Sequence, residues 1–261
     1  MKKFDMWCLK HKLLAFILMS VVLCGIITAI NCLIESSITT IVVMDALAIL
    51  LSAVYPSSCY ATEFKKRVEP FYNCYPQPLY EIAEEIKPYL KGISLQEVLL
   101  NQASALFAMG EHEKMLSLME SINIDKYAGF PLQFKVLYYN NLASAYEISG
   151  QLDKAAFAYQ KLKTILADAN DRIKKQFLDQ TLEPDIFEYK RSGDYKKALE
   201  LCAKKSSEKP LQQVEKSYCM AELYISLGEI DEAKRLLSFV RANGGGTFFV
   251  KKSEEMLENL G

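Results

Sequence analysis

Apolar side chains follow two different patterns along the chain. Up to about residue 60 they run on without a polar face, and from about Pro78 they recur every three to four positions between glycines. Leu13–Ile34 is a 22-residue stretch with no charged side chain; at about 1.5 Å per residue it is long enough for a hydrocarbon core of about 30 Å and predicts a transmembrane helix. Ile38–Tyr55 is a second run of 18 residues, set off by Glu35, Ser36 and Ser37 and carrying Asp45 near its middle. Its nine Ile, Val and Leu side chains, at about −0.3 to −0.6 kcal/mol each, barely exceed an aspartate at about +2.5 to +3.5 kcal/mol. Alone the second run inserts marginally, but so short a turn forces an antiparallel hairpin in which the first helix shields the carboxyl. Reflection about Ser36 puts Asp45 opposite Ile27, with Thr28 as its hydrogen-bond partner. A protonated packing contact is favoured over an ion or proton site, because two helices enclose too little space for a pathway. A cleaved signal peptide is the rival reading of the first run. Against it stand the length of the run, the lack of a closing small-x-small site, and the second run that follows.

Lys2, Lys3, Lys10 and Lys12 precede the first span, the turn holds no basic residue, and Lys65, Lys66 and Arg67 follow the second. The excess of positive charge on cytoplasmic flanks then predicts a multi-pass protein of the plasma membrane with both termini inside. The expected division is a membrane anchor over 1–59 (spans 13–34 and 38–55), a linker over 60–77 holding Pro70 and Pro76, and a helical array over 78–261.

In the array the helical period is broken at a recurring motif, GEHEKML at Gly110, GQLDKAA at Gly150, GDYKKAL at Gly193 and GEIDEAK at Gly228. Around Gly150 lie Tyr139, Leu142, Ala143, Tyr146, Ala155, Tyr159 and Leu162, and around Gly228 lie Ser217, Met220, Ala221, Tyr224, Ala233, Leu237 and Val240. The sets at Gly110 (Leu99, Ala103, Leu106, Met115, Met119) and Gly193 (Leu182, Ile186, Tyr189, Ala198, Cys202) follow the same plan less closely. This pattern resembles the tetratricopeptide repeat, in which bulky residues, Leu-Gly and Tyr mark a first helix and Ala and an aromatic mark a second. The layout of anchor plus array is similar to membrane-tethered repeat proteins of Gram-positive bacteria. The resemblance implies an all-α fold, with a two-helix transmembrane hairpin followed by an α-solenoid of about four helix pairs. Pro78–Leu90 and Thr247–Leu260 are the expected capping helices, and Gly244–Gly246 breaks the chain before the second. Glycine spacings of 40, 43 and 35 residues, against about 34 in the family, require longer connections in the first two intervals. Pro184 lacks a backbone donor and is expected to kink or restart its helix.

Charge and candidate chemistry narrow the function. Outside the first 60 residues 27 basic and 29 acidic side chains remain, a balance without the basic stripe of a nucleic-acid binder. The seven cysteines are odd in number and irregularly spaced, so they read as reduced, with Cys202 and Cys219 as small core residues. The only histidines, His11 and His112, form no metal motif, and His112 reads as a solvated turn residue. No phosphate loop is present, and the adjacent pairs Glu84–Glu85 and Glu254–Glu255 point different ways on their helices. No cofactor, metal or catalytic cluster is expected, and the chain is expected not to be an enzyme.

The family resemblance implies a concave groove lined by positions 2, 5, 9 and 12 of each first helix. Those positions carry Glu97, Leu100, Ser104 and Phe107; Leu137, Asn140, Ser144 and Glu147; Gln180, Glu183, Phe187 and Lys190; and Glu215, Tyr218, Glu222 and Ile225. Phe107, Asn140, Ser144, Glu147, Phe187, Tyr218, Glu222 and Ile225 are the candidate partner-binding residues. Five glutamates against one lysine favour a basic peptide or helix with apolar side chains for the aromatics. The carboxylate clamp of some relatives is matched by Asn141 alone. The expectation is therefore a membrane-tethered adaptor or scaffold for a protein partner; the alternative is a structural subunit whose array a larger membrane complex covers permanently.

Overall fold

The computed structural model describes residues 11–33, 42–50, 52, 64, 66, 68–124, 126 and 129–261, and no strand occurs among them. It divides into two compact units, Met1–Arg67 and Val68–Gly261.

In the first unit helix α1 (Lys12–Leu33) and a helical stretch at 42–50 approach each other where the Cys24 thiol lies 3.8 Å from the carbonyl oxygen of Asp45. Among the described residues no helix is long and apolar enough to cross a membrane. The hairpin of spans 13–34 and 38–55 is therefore not supported; of the second span positions 42–50 and 52 are described, and the turn residues Glu35–Ser37 lie outside the described residues. Thr28 does not donate to Asp45 Oδ1 either. Cys24, one turn earlier, meets the Asp45 carbonyl oxygen, and Asp45 Oδ1 is buried without a hydrogen-bond partner. Reflection about a turn fixes such a register only to within one turn, because the helices also rotate about their axes. Large apolar side chains nevertheless face outward on both stretches, among them Leu14, Leu18, Val21, Val22, Val42 and Leu50.

The second unit is built from helix pairs. A helix α2 (Gln77–Ile86) and a 3-10 turn (Lys87–Tyr89) lead into α3 (Gly92–Met109) and α4 (His112–Ser121). Then come α5 (Leu132–Ile148) with α6 (Leu152–Ala167), and a short α7 (Asp171–Gln176). The remainder is α8 (Leu178–Ser192) with α9 (Tyr195–Cys202), α10 (Pro210–Leu227) with α11 (Ile230–Asn243), and α12 (Phe248–Asn259).

Each pair turns on its glycine in the same way. At the first, the Gly110 N–H donates to Phe107 O and the Glu111 N–H to Leu106 O, both at 2.9 Å, with φ +78° at the glycine. This crossed pair of bonds satisfies the last carbonyls of α3 and needs a left-handed residue, which a β-carbon disfavours. The same two bonds recur at Gly150, Gly193 and Gly228. The alanines of the pattern, Ala103, Ala143, Ala155, Ala198, Ala221 and Ala233, are all fully buried, letting backbones approach while Leu162, Ile186 and Leu237 fill the layers between. The long second interval holds α7, and the long first one holds the connection from Ile122 to Pro131. Pro184 does not interrupt its helix: α8 runs through it, and the break falls upstream at Phe177. The proline is buried on the packed face, where neighbouring helices hold the turn despite its missing donor.

The two ends of the array meet. Phe71 and Cys74, in the segment expected to be a linker, pack with Leu211 and Val214 of α10, Val240 of α11 and Phe249 of α12. The glycine run makes this possible. A β-carbon on Gly245 would lie 2.8 Å from the Cys74 carbonyl oxygen, and that oxygen accepts the Gly246 N–H at 2.8 Å. Cys74 itself has φ +67°, the one non-glycine residue with positive φ among those described. Lys209 adds a cation over the Tyr72 ring at 3.4 Å.

Candidate functional site

Of the first helices α3, α5, α8 and α10, three are joined by one run of polar contacts among their expected groove positions. It begins on α6, where the buried Tyr159 hydroxyl donates to Glu147 Oε2 at 3.0 Å and interacts with the Ser144 hydroxyl. Glu147 Oε1 accepts from Lys190 Nζ of α8 at 2.9 Å. Glu222 of α10 also acts on the charge of Lys190 and accepts from the Tyr218 hydroxyl. Burial opposes the charge of Lys190, but Glu147 and Glu222 outweigh it and keep the ammonium well above its ordinary range. Glu222 is also shifted up, but toward its neutral form: burial raises its carboxyl, and Lys190 offsets this only in part. Burial followed by Glu222 also pushes the Tyr218 phenol up.

A second cluster lies beside the first. Lys205 Nζ donates to Glu183, the lysine side chain 11% and the glutamate 24% exposed, so the ammonium is the more desolvated of the two. Asp179 Oδ1 accepts the Ser206 N–H at 2.6 Å, and Glu215 completes the group. The Glu215 carboxyl is pushed up to about 7, chiefly by burial; Lys205 opposes this, and Glu183 and Asp179 add to it. Across the two clusters five carboxylates face two lysines, so the interior keeps an acidic excess although its best-placed glutamate, Glu147, already holds a cation.

The eight expected groove residues thus fall into different surroundings. Ser144, Glu147, Tyr218 and Glu222 belong to the polar run. Phe107 and Tyr218 converge on Phe248 and Phe249 at the start of α12, with centroids 5.6 Å apart for Phe107–Phe248 and 5.2 Å for Tyr218–Phe249. Phe187 is 4% exposed and stacks on Tyr159 at 4.9 Å. Its edge borders a recess of about 320 Å³ that is also lined by Ala156, Glu188, Arg191 and Ser192. Ile225 lies beneath α12 with Met256 and Leu257. Asn140 offers a buried amide oxygen that has no hydrogen-bond partner. Asn141 is used internally, donating to Ser104 Oγ at 3.1 Å.

Sequence reasoning passed over several participants. His112 is not a solvated turn residue: its ring meets Phe248 edge-on at 4.8 Å and its Nε2 is buried without a partner. Burial, then Lys252, lower its pKa against Glu111. The Phe248–Phe249 doublet looked like the first turn of a cap, and its adjacent aromatics were the available signal that this cap has two faces to cover. Tyr159 was placed as a packing residue, and nothing local marks its hydroxyl as one end of the polar run. Among the described residues no group of three His, Cys, Asp or Glu side chains is arranged to hold a metal ion.

The family model for the tetratricopeptide repeat matches residues 136–165, the α5–α6 pair around Gly150. No curated protein and no solved structure matches the chain. A tetratricopeptide repeat in an all-helical repeat fold points to a protein–protein interaction module.

Proposed function

We propose that the chain is a membrane-tethered adaptor whose helical array receives a basic peptide segment on its inner face. The observation that carries this reading is the convergence of groove positions from α5, α8 and α10 on one half-buried polar run, beside a second acidic cluster and the unpartnered amide oxygen of Asn140. An entering Lys or Arg would find the carboxylates of Glu215 and Glu222, each raised by burial and therefore stabilised by a further cation. Apolar side chains outward on both helical stretches of the N-terminal unit support attachment to a membrane, and the lysines flanking those stretches in the sequence support a cytoplasmic side for the array. Thiol labelling of a cysteine introduced at Gly261, in sealed right-side-out cells, tests that side; labelling from outside rejects it.

Fluorescence anisotropy of two labelled peptides tests the binding reading. A lysine-rich peptide carrying two aromatics should bind, weaken about tenfold or more on a tenfold rise in salt, and weaken in Glu222→Gln but not in the outer-face control Phe157→Ala. Equal binding of its charge-reversed counterpart, or no binding of either, rejects a basic ligand. The second reading, a subunit permanently covered by a larger complex, is favoured by the exposure of Ile148, Leu152 and Phe157 at one edge of the α5–α6 pair. Elution of the detergent-solubilised protein as a lone species counts against it.

A further inference from the structure

Cys202 ends α9 and Cys219 lies in the middle of α10, and in the sequence they are two of seven unremarkable cysteines. The fold brings them together. Cys202 is fully buried in the cluster between α8, α9 and α10, and Cys219 packs against that same cluster. Both are free thiols, and each acts on the titration of the other. Cys202 Sγ also reaches the Lys216 carbonyl oxygen at 3.8 Å. The Lys205 ammonium stands beside both sulfurs, held by Glu183.

We propose that Cys202 and Cys219 form a redox-active dithiol, which a hydroperoxide closes to a disulfide joining the end of α9 to the middle of α10. Both cysteines pack into one side-chain cluster on adjacent helices, which meets the first requirement of a disulfide, that its thiols lie side by side. Cys219 is only half-buried, so an oxidant the size of hydrogen peroxide reaches the pair from the α10 side. The neighbouring ammonium supplies the electropositive setting in which a thiolate persists. The Cys202 thiol is held below its ordinary range by the hydrogen bond from Cys219 and, against burial, by Lys205, so Cys202 is the first nucleophile.

Its sulfur attacks one peroxide oxygen. The S–O bond forms as the O–O bond breaks, the alcohol or water leaves with one proton, and sulfur loses two electrons to the peroxide. The Cys219 sulfur then attacks the sulfenic sulfur of Cys202; the S–S bond forms, the S–O bond breaks, and the hydroxyl leaves as water with the Cys219 proton. Two thiols and one hydroperoxide thus give one disulfide, one alcohol (or water) and one water. A dithiol reductant reverses the result.

The test uses the full-length chain, reduced and then exposed to equimolar hydrogen peroxide. Remaining thiols are blocked with N-ethylmaleimide, and the tryptic peptides Ala198–Lys204 and Ser217–Lys234 are followed by mass spectrometry. Expected are a linked pair lighter by two hydrogens than the sum of the peptides, near-complete loss of maleimide at both positions, and recovery of labelling after dithiothreitol. A Cys219→Ser chain should instead carry a dimedone-trappable sulfenic acid at Cys202. The proposal is overturned if both peptides of the unmodified chain remain maleimide-labelled, if either cysteine links to Cys74 instead, or if the two end as separate sulfinic acids. The first arm needs no variant, so a folding defect in Cys219→Ser does not blur the outcome.

Discussion

Glu215 concentrates the electrostatics of the inner face in one side chain. Its carboxyl keeps a proton up to about pH 7 in the folded chain, against an ordinary value of 4.5. Between those values the native state binds more protons than the unfolded one, so stability is greatest below about pH 4.5 for this group and falls as pH rises through 7. Thermal unfolding of the wild type should lose about 1–3 kcal/mol from this source between pH 5 and pH 8, and Glu215→Gln should remove that part of the slope. Parallel pH profiles in the two proteins would mean that Glu215 is not desolvated. Glu147 behaves differently because it is already paired with Lys190. Glu147→Lys would set two ammoniums against one another in a half-buried position, so loss of binding there reports misfolding as much as lost attraction. The neutral change Glu222→Gln is the cleaner probe of the acidic interior.

At the scale of elements, the four glycine turns share one backbone geometry but not one environment. A β-carbon at Gly228 meets open space, whereas at Gly110 it would lie 2.7 Å from the β-carbon of Phe248. Gly228→Ala should therefore cost about 1–2 kcal/mol, the strain of a left-handed alanine alone. Gly110→Ala should cost more, because it adds a clash against α12 that no rotamer relieves. Chemical denaturation of the two variants measures the difference, and equal losses would show that α12 does not press on the α3–α4 turn. The glycine positions, the buried alanines and the capping helices were all legible in the sequence, since each depends on contacts within a few residues or with the adjacent helix. The course of α8 through Pro184 was not legible, because buried packing around the proline offsets a local preference against helix.

At the scale of the whole second unit the decisive contact is the one between the two ends of the array. Phe248 and Phe249 fill the space between Phe107 of α3 and Tyr218 of α10, and Cys74 is held in the glycine turn before α12. Phe249→Ala should cost about 3–5 kcal/mol, as for a large aromatic removed from a packed core. If the junction closes the array, amide exchange should also quicken in α3, far away in sequence. Unchanged protection of α3 alongside lost stability would confine the role of Phe249 to capping α11.

The sequence by itself determined the helical class, the four glycine-centred pairs and the tetratricopeptide pattern around Gly150. Helical period, turn chemistry and nearest-neighbour packing act over tens of residues at most, and a repeat chain writes them out again in every unit. Only the tertiary structure decided that Lys190 pairs with Glu147 close enough to Glu222 to feel its charge, that Phe187 and Ile225 are covered, that His112 is packed against Phe248, and that Cys202 and Cys219 share one cluster. Each of these depends on the angle between successive pairs, summed along the array and altered by α7 and by the long α4–α5 connection. A small rotation per pair brings the first and last helices into contact or leaves them apart, and no local pattern of residues records that sum.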